Sequence, residues 1–132
     1  EKEHQHVASL LQIVSDIERI SDYCENISEY AENLANQKKK FSGVGAAEMK
    51  EMLEVCSDSF TYAVEAFEEN SAEKALKVIE KERSADDHMQ RLANKQCDTE
   101  AGIVFLDALV GLERISDHSR NIAEEVLSAS NK

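Results

Sequence analysis

No proline occurs anywhere in this chain of 132 residues, and only four glycines do. Proline breaks a helix interior and glycine weakens one, so little stands in the way of long helices. The apolar residues then set where those helices run. Leu10, Val14, Ile17, Ser21, Cys24, Ser28, Ala31 and Ala35 recur at helical spacing, and Ile13, Ile20, Ile27 and Leu34 add a second seam. This predicts a first helix from about His4 to Gln37, and its two seams imply two neighbours. Lys38 to Gly45, with Ser42, Gly43 and Gly45 as turn residues, reads as the break after it. A second helix over Ala46 to Glu69 sets Met49, Met52, Leu53, Cys56, Phe60, Ala63, Val64 and Phe67 on one face. Asn70 and Ser71 end it, with Ser71 placed to cap a third helix from Ala72 to about Lys95. Asp98 or Thr99 is placed to cap a fourth, which runs to about Ala129. Short connections favour antiparallel neighbours, so the expected fold is all-α, an antiparallel up-down four-helix bundle in a single domain.

Charge narrows the choice of partners. The formal net charge is −12, from 27 acidic and 15 basic residues. Nucleic acid and anionic lipid are poor partners for such a surface, whereas cations are not. The one basic run, Lys38-Lys39-Lys40, falls where the first helix should end and would complement the negative end of its dipole. Cys24, Cys56 and Cys97 are widely spaced and odd in number, which suits a reducing compartment without a disulfide framework. No stretch of these residues reads as a signal peptide or membrane span; the longest apolar stretch, Ile103 to Leu112, is short and contains Asp107. Periodicity begins almost at Glu1, as expected of a piece of something larger.

The sequence also repeats itself. Residues 17–29 read Ile-Glu-Arg-Ile-Ser-Asp-Tyr-Cys-Glu-Asn-Ile-Ser-Glu, and residues 112–124 read Leu-Glu-Arg-Ile-Ser-Asp-His-Ser-Arg-Asn-Ile-Ala-Glu. Amphipathic helices share apolar periods freely, but identical polar residues at a constant offset of 95 point to a duplicated unit. In each copy an acid pair, Glu18 with Asp22 and Glu113 with Asp117, lies one turn apart on one helix face. Glu25, Glu29 and Glu32 extend the first stripe and Glu124 the second. Such density is destabilising unless solvent or a cation screens it.

Both segments resemble the signature of the PhoU family, usually written L-E-R-I-G-D-x-x-x-N-I-A-E. Ser21 and Ser116 stand where that family has glycine, and both are small enough to keep helices close. Glu100-Ala101-Gly102-Ile103-Val104-Phe105-Leu106-Asp107 and the Phe41-Ser42 break are similar to a narrower group. Its members are PhoU-like domains at the cytoplasmic C-terminus of bacterial sodium/phosphate cotransporter-like membrane proteins. The resemblance implies that residues 1–37 form the last helix of a first repeat and 46–130 a complete second repeat. It implies a regulatory rather than an enzymatic protein, tethered to the inner membrane through its parent. The implied partners are the transporter portion of the same chain or its subunits, with a homodimer also open. It further implies a multinuclear metal (iron, manganese, magnesium or zinc), which an isolated fragment can lack. Position by position, the ligands it carries over are Glu18, Asp22, Glu113 and Asp117.

The donors point the same way on chemical grounds. Oxygen-only ligands select a hard cation such as iron(III), manganese or magnesium over thiolate-bound zinc. The third helix adds Glu82 and Asp86, which interrupt the seam Ala75, Ile79, Met89, Ala93 with a further E-x-x-x-D. Two buried unpaired carboxylates cost several kcal/mol, roughly, so either a metal or Arg83, Arg114 or Arg19 has to neutralise them. For the pairs in the first and fourth helices, the alternative is a solvated face with Glu-Arg pairing. The duplicated turns are expected side by side. His88 and His118 are possible ligands, though a lone histidine is more often a surface or capping residue, and His4 and His6 lie at a fraying end.

Enzyme readings lack support. Di-iron bundles place E-x-x-H on interior helices, and here it occurs only as Glu1/His4 and Glu3/His6. Gly43-Val44-Gly45 is no phosphate loop, and Ser116, Asp117 and His118 point apart on one helix. The rival functions are a structural dimerisation bundle without ligand and a stand-alone regulator of phosphate signalling.

Overall fold

The computed structural model describes residues 1–41, 43–93 and 100–130, with the side chains of 43, 44, 93, 100 and 101 left aside. The described residues form four helices: α1 (Lys2–Asn36), α2 (Gly43–Glu69), α3 (Ala72–Ala93) and α4 (Glu100–Ser130). The all-helical four-helix architecture is as the periodicity requires. Asp98, Thr99, Lys95 and Cys97 fall outside the described residues, as does Ser42.

Helix α2 begins at Gly43, so the expected break is shorter than Lys38 to Gly45. A glycine in a first turn costs helix about 1 kcal/mol, too little to exclude it where packing follows. Two helix ends use the same device. At the end of α1, Lys39 N–H donates to Leu34 O at 2.9 Å and Lys38 N–H to Ala35 O at 3.1 Å, with Lys38 at φ 55°. At the end of α2, Ser71 N–H donates to Ala66 O at 2.9 Å and Asn70 N–H to Phe67 O at 3.4 Å, with Asn70 at φ 52°. Both are the left-handed caps that return two orphan carbonyls to hydrogen bonding. The last turn of α1 holds no basic residue; Lys38-Lys39-Lys40 follows directly after the Gln37 C-cap, at the end of the helix. Ser71 caps α3 as expected, its Oγ accepting from Lys74 N–H at 3.2 Å.

Helices α2, α3 and α4 pack on one another around Met52, Cys56, Ala63, Val78, Ala85, Leu109, Leu112 and Ile122. Small side chains let the helices approach: Ser59, Ser116 and Ser119 are all fully buried. Among the described residues α1 packs on α4 alone, which corrects the expectation of two neighbours. Its Ile13, Ile20, Ile27 and Leu34 seam is the packed one. Gly111 lets Ile27 approach so closely that a Cβ there would sit 3.3 Å from it. The other seam is open, with Val14 52% and Ile17 43% exposed, and Cys24 is exposed beside them. No helix among the described residues is long and apolar enough to cross a membrane.

Candidate metal centre

Helix α3 presents Glu82 and Asp86 one turn apart, and α4 presents Asp117 across from them. One carboxylate oxygen from each lies within 4.8 Å of the others, so a single cation can reach all three. Glu82 is buried, and Asp86 and Asp117 are half-buried. The E-x-x-x-D spacing explains the arrangement, since residues i and i+4 share a helix face. Both acids of the α3 pair join the group, whereas Asp117 alone of the α4 pair does so.

Electrostatics bear the crowding out. Burial pushes the Glu82 carboxyl up, its contact with Asp86 pushes it further, and the Arg120 guanidinium pulls it back. Burial likewise raises Asp117, with the Glu82 charge adding to it. Glu113 is raised by burial and then by Asp117 and, more weakly, Glu82, so it belongs to the same field as the cluster. A carboxylate held above its ordinary range is costly to ionise, and a nearby positive charge lowers that cost. Three oxygen donors at this separation, with no thiolate or imidazole among them, fit a hard divalent or trivalent cation.

The first-repeat pair behaves differently. The register of α1 on α4 sets Asp16 against His118 and Tyr23 against Arg114, so the two acidic turns do lie at one level. Glu18 and Asp22 nevertheless face outward and are exposed, and they take no part in the group formed by Glu82, Asp86 and Asp117.

Sequence reasoning did not identify the neutralising cation. Arg120, and not Arg83, Arg114 or Arg19, reaches the cluster: its Nη1 donates to Glu82 Oε2 at 2.7 Å and its Nε to Glu124 Oε1 at 2.9 Å. Arg114 turns to Tyr23, donating from Nη1 to the phenol oxygen at 3.2 Å. The E-R-I-S-D repeat drew attention to arginines inside it, while Arg120 sits three residues beyond Asp117 on the same face. His118 is a second surprise. Its Nδ1 lies 2.8 Å from Asp16 Oδ1, its ring stacks on Tyr23, and it belongs to the α1–α4 seam. His88 is half-buried, its Nδ1 2.6 Å from Arg91 Nη2, away from the cluster.

An all-helical frame whose third and fourth helices bring E-x-x-x-D carboxylates together describes a class of acidic helical module. The PhoU domain model matches residues 1–31 and 49–126, and the chain belongs to that family. It is 28% identical over 138 aligned residues to the phosphate-specific transport system accessory protein PhoU homolog 1 of Thermotoga maritima. The match covers 96% of this chain and 57% of that relative, so the chain spans little more than half the relative's length. No solved structure matches it.

Proposed function

We propose that this chain is a regulatory, cation-binding helical module of phosphate transport and not an enzyme. The observation that carries the reading is the convergence of Glu82, Asp86 and Asp117 from two helices onto one point. A hard cation there, such as manganese, iron or magnesium, is held by those three carboxylates with Glu113 contributing charge. The relative's name places that protein with a phosphate-specific transport system. The resemblance of residues 100–107 to cotransporter-attached domains supports a cytoplasmic role, tethered through a parent protein and acting by contact with its membrane portion or subunits. A stand-alone accessory regulator is the second reading, and the relative's description as an accessory protein favours it. Whether the reading frame upstream of Glu1 encodes hydrophobic spans separates the two.

The duplicated unit explains the open face of α1. At the offset of 95, Val14 and Ile17 correspond to Leu109 and Leu112, which are 0% and 2% exposed beneath α2 and α3. Ser21 and Cys24 correspond likewise to Ser116 and Ser119, both fully buried. The exposed face of α1 thus repeats the covered face of α4, which supports residues 1–37 being the closing helix of a first repeat. Glu18 and Asp22 are then half of an equivalent centre, awaiting an acid pair on a covering helix.

Elemental analysis of protein prepared without chelators tests the cation reading. Stoichiometric metal that is lost in the Glu82→Ala/Asp117→Ala double variant supports it. A well-folded protein that takes up no manganese, iron or magnesium at millimolar concentration leaves only a structural bundle.

A further inference from the structure

Arg120 occupies a peculiar position beside the acidic centre. Its guanidinium takes Glu82 Oε2 at 2.7 Å, an oxygen of one of the three carboxylates that converge there. The Glu82 side chain is only 6% exposed, so this pair is shielded on the carboxylate side. The other edge of the guanidinium faces solvent, with Nε bonded to Glu124 Oε1 at 2.9 Å; Arg120 is 36% and Glu124 51% exposed. A cation at the centre and the guanidinium at Glu82 repel each other and compete for the same carboxylate. The bond to Glu124 gives the arginine somewhere to remain when it gives up Glu82.

The repeat shows that this arginine is not demanded by the acidic turn itself. At the offset of 95, Glu124 corresponds to Glu29, but Arg120 corresponds to Glu25. The first copy has the outer acid and no cation between it and the acidic pair. One half of the duplicated unit carries a positive charge where the other carries a negative one.

We propose that Arg120 is a built-in competitor for the cation at the α3–α4 centre, holding the carboxylates together when no ion is bound and weakening the ion's affinity when one is. The inference rests on the reading of that centre as a cation site. A ligand that binds only the minor, open arrangement has its apparent affinity reduced by the open fraction. An arginine closed on Glu82 nine-tenths of the time therefore weakens binding about tenfold. The same contact screens Glu82, Asp86 and Asp117 from one another in the ion-free protein. Removing the arginine thus acts in opposite directions on the two states, which a purely structural residue does not.

Manganese titration by calorimetry on the full chain tests this, with Arg120→Gln, Arg120→Glu (the residue type of the first copy) and Asp117→Asn. Arg120→Gln is expected to bind manganese about tenfold more tightly, Arg120→Glu more tightly still, and both to melt earlier than wild type in chelator. Unchanged or weaker binding in both arginine variants, with Asp117→Asn abolishing it, overturns the competitor role and leaves the cation site standing. Absence of binding in every protein, wild type included, overturns the cation reading itself. Should the arginine variants fail to fold, the wild-type Arg120 Nε–H resonance during magnesium titration decides. It must shift in step with occupancy, and a resonance that stays fixed while the ion binds refutes the competition.

Discussion

Replacing Asp16 by alanine should loosen α1 from the rest of the molecule while leaving the other three helices nearly untouched. Asp16 is 2% exposed in the α1–α4 seam and accepts from Asn121 Nδ2 at 3.2 Å and from the α1 side chain of Gln12 at 3.4 Å. Its Oδ1 also meets His118 Nδ1 at 2.8 Å. A hydrogen bond to a charged group is worth about 1.5–3 kcal/mol net. Two such contacts reach across to α4, but His118 is a quarter exposed and the carboxylate no longer has to be desolvated in the variant. Together these give a net loss of about 2–3 kcal/mol. Because α4 is the sole neighbour of α1 among the described residues, the loss falls on the opening of α1. Amide hydrogen exchange over residues 10–25 should then accelerate by about 30- to 150-fold, at 1.4 kcal/mol per decade. Asp16→Asn, which keeps an acceptor for one donor and loses the charge, should give about half the effect in kcal/mol. Equal acceleration in all four helices, or none in α1, refutes the idea that α1 is a separately docked element pinned by this network.

Five further outcomes are expected. Leu109→Ala empties a fully buried position in α4 and should lower unfolding free energy by about 2–5 kcal/mol in denaturant titration. Lys38→Gly removes a Cβ from a left-handed backbone at φ 55° and should raise stability by about 1 kcal/mol, visible as a higher Tm. Cys56 is pushed up to about 12, chiefly by burial and then by Asp117 and Glu113, so peptide mapping after a brief alkylation should find exposed Cys24 modified and Cys56 protected. Glu82, Glu113 and Asp117 are raised in the fold above the ordinary 4.5 and 3.8, so the folded chain binds their protons more tightly than the unfolded chain does. Their contribution to stability is therefore greatest below the ordinary carboxylate range and is lost as pH rises through the raised values. Melting of the chelated protein should show this slope and Asp117→Asn should flatten it; an unchanged slope in that variant refutes the assignment. Manganese binding should weaken as pH falls into the same window, because protons and the ion compete for the same oxygens.

Much of this was legible in the residues. The 3-and-4 spacing and the absence of proline located four helices, because helical periodicity is a local property. Ser71 was recognisable as a cap for the same reason. Glu82 and Asp86 stood out because they interrupt an apolar line, and a packed core makes such an interruption meaningful. What escaped the sequence depends on rotation of one helix about another. Spacing shows that Glu18 shares a face with Asp22, but not that this face points to solvent while its copy on α4 turns toward α3. Two seams on α1 correctly mark two apolar faces, yet only one meets a neighbour among the described residues. The cross-helix partners of Arg120, Asp16 and His118 lie 38 to 105 positions away, and no local pattern encodes those pairings.

The most direct measurement is the anomalous difference density of crystals grown with manganese. A single peak bounded by carboxylate oxygens of Glu82, Asp86 and Asp117, at about 2.1 Å from each, with Arg120 turned away to Glu124, is the expected result. Density at the terminal histidines instead, or none while Arg120 still grips Glu82, would contradict the assignment of this turn of α3 and α4 as a cation centre.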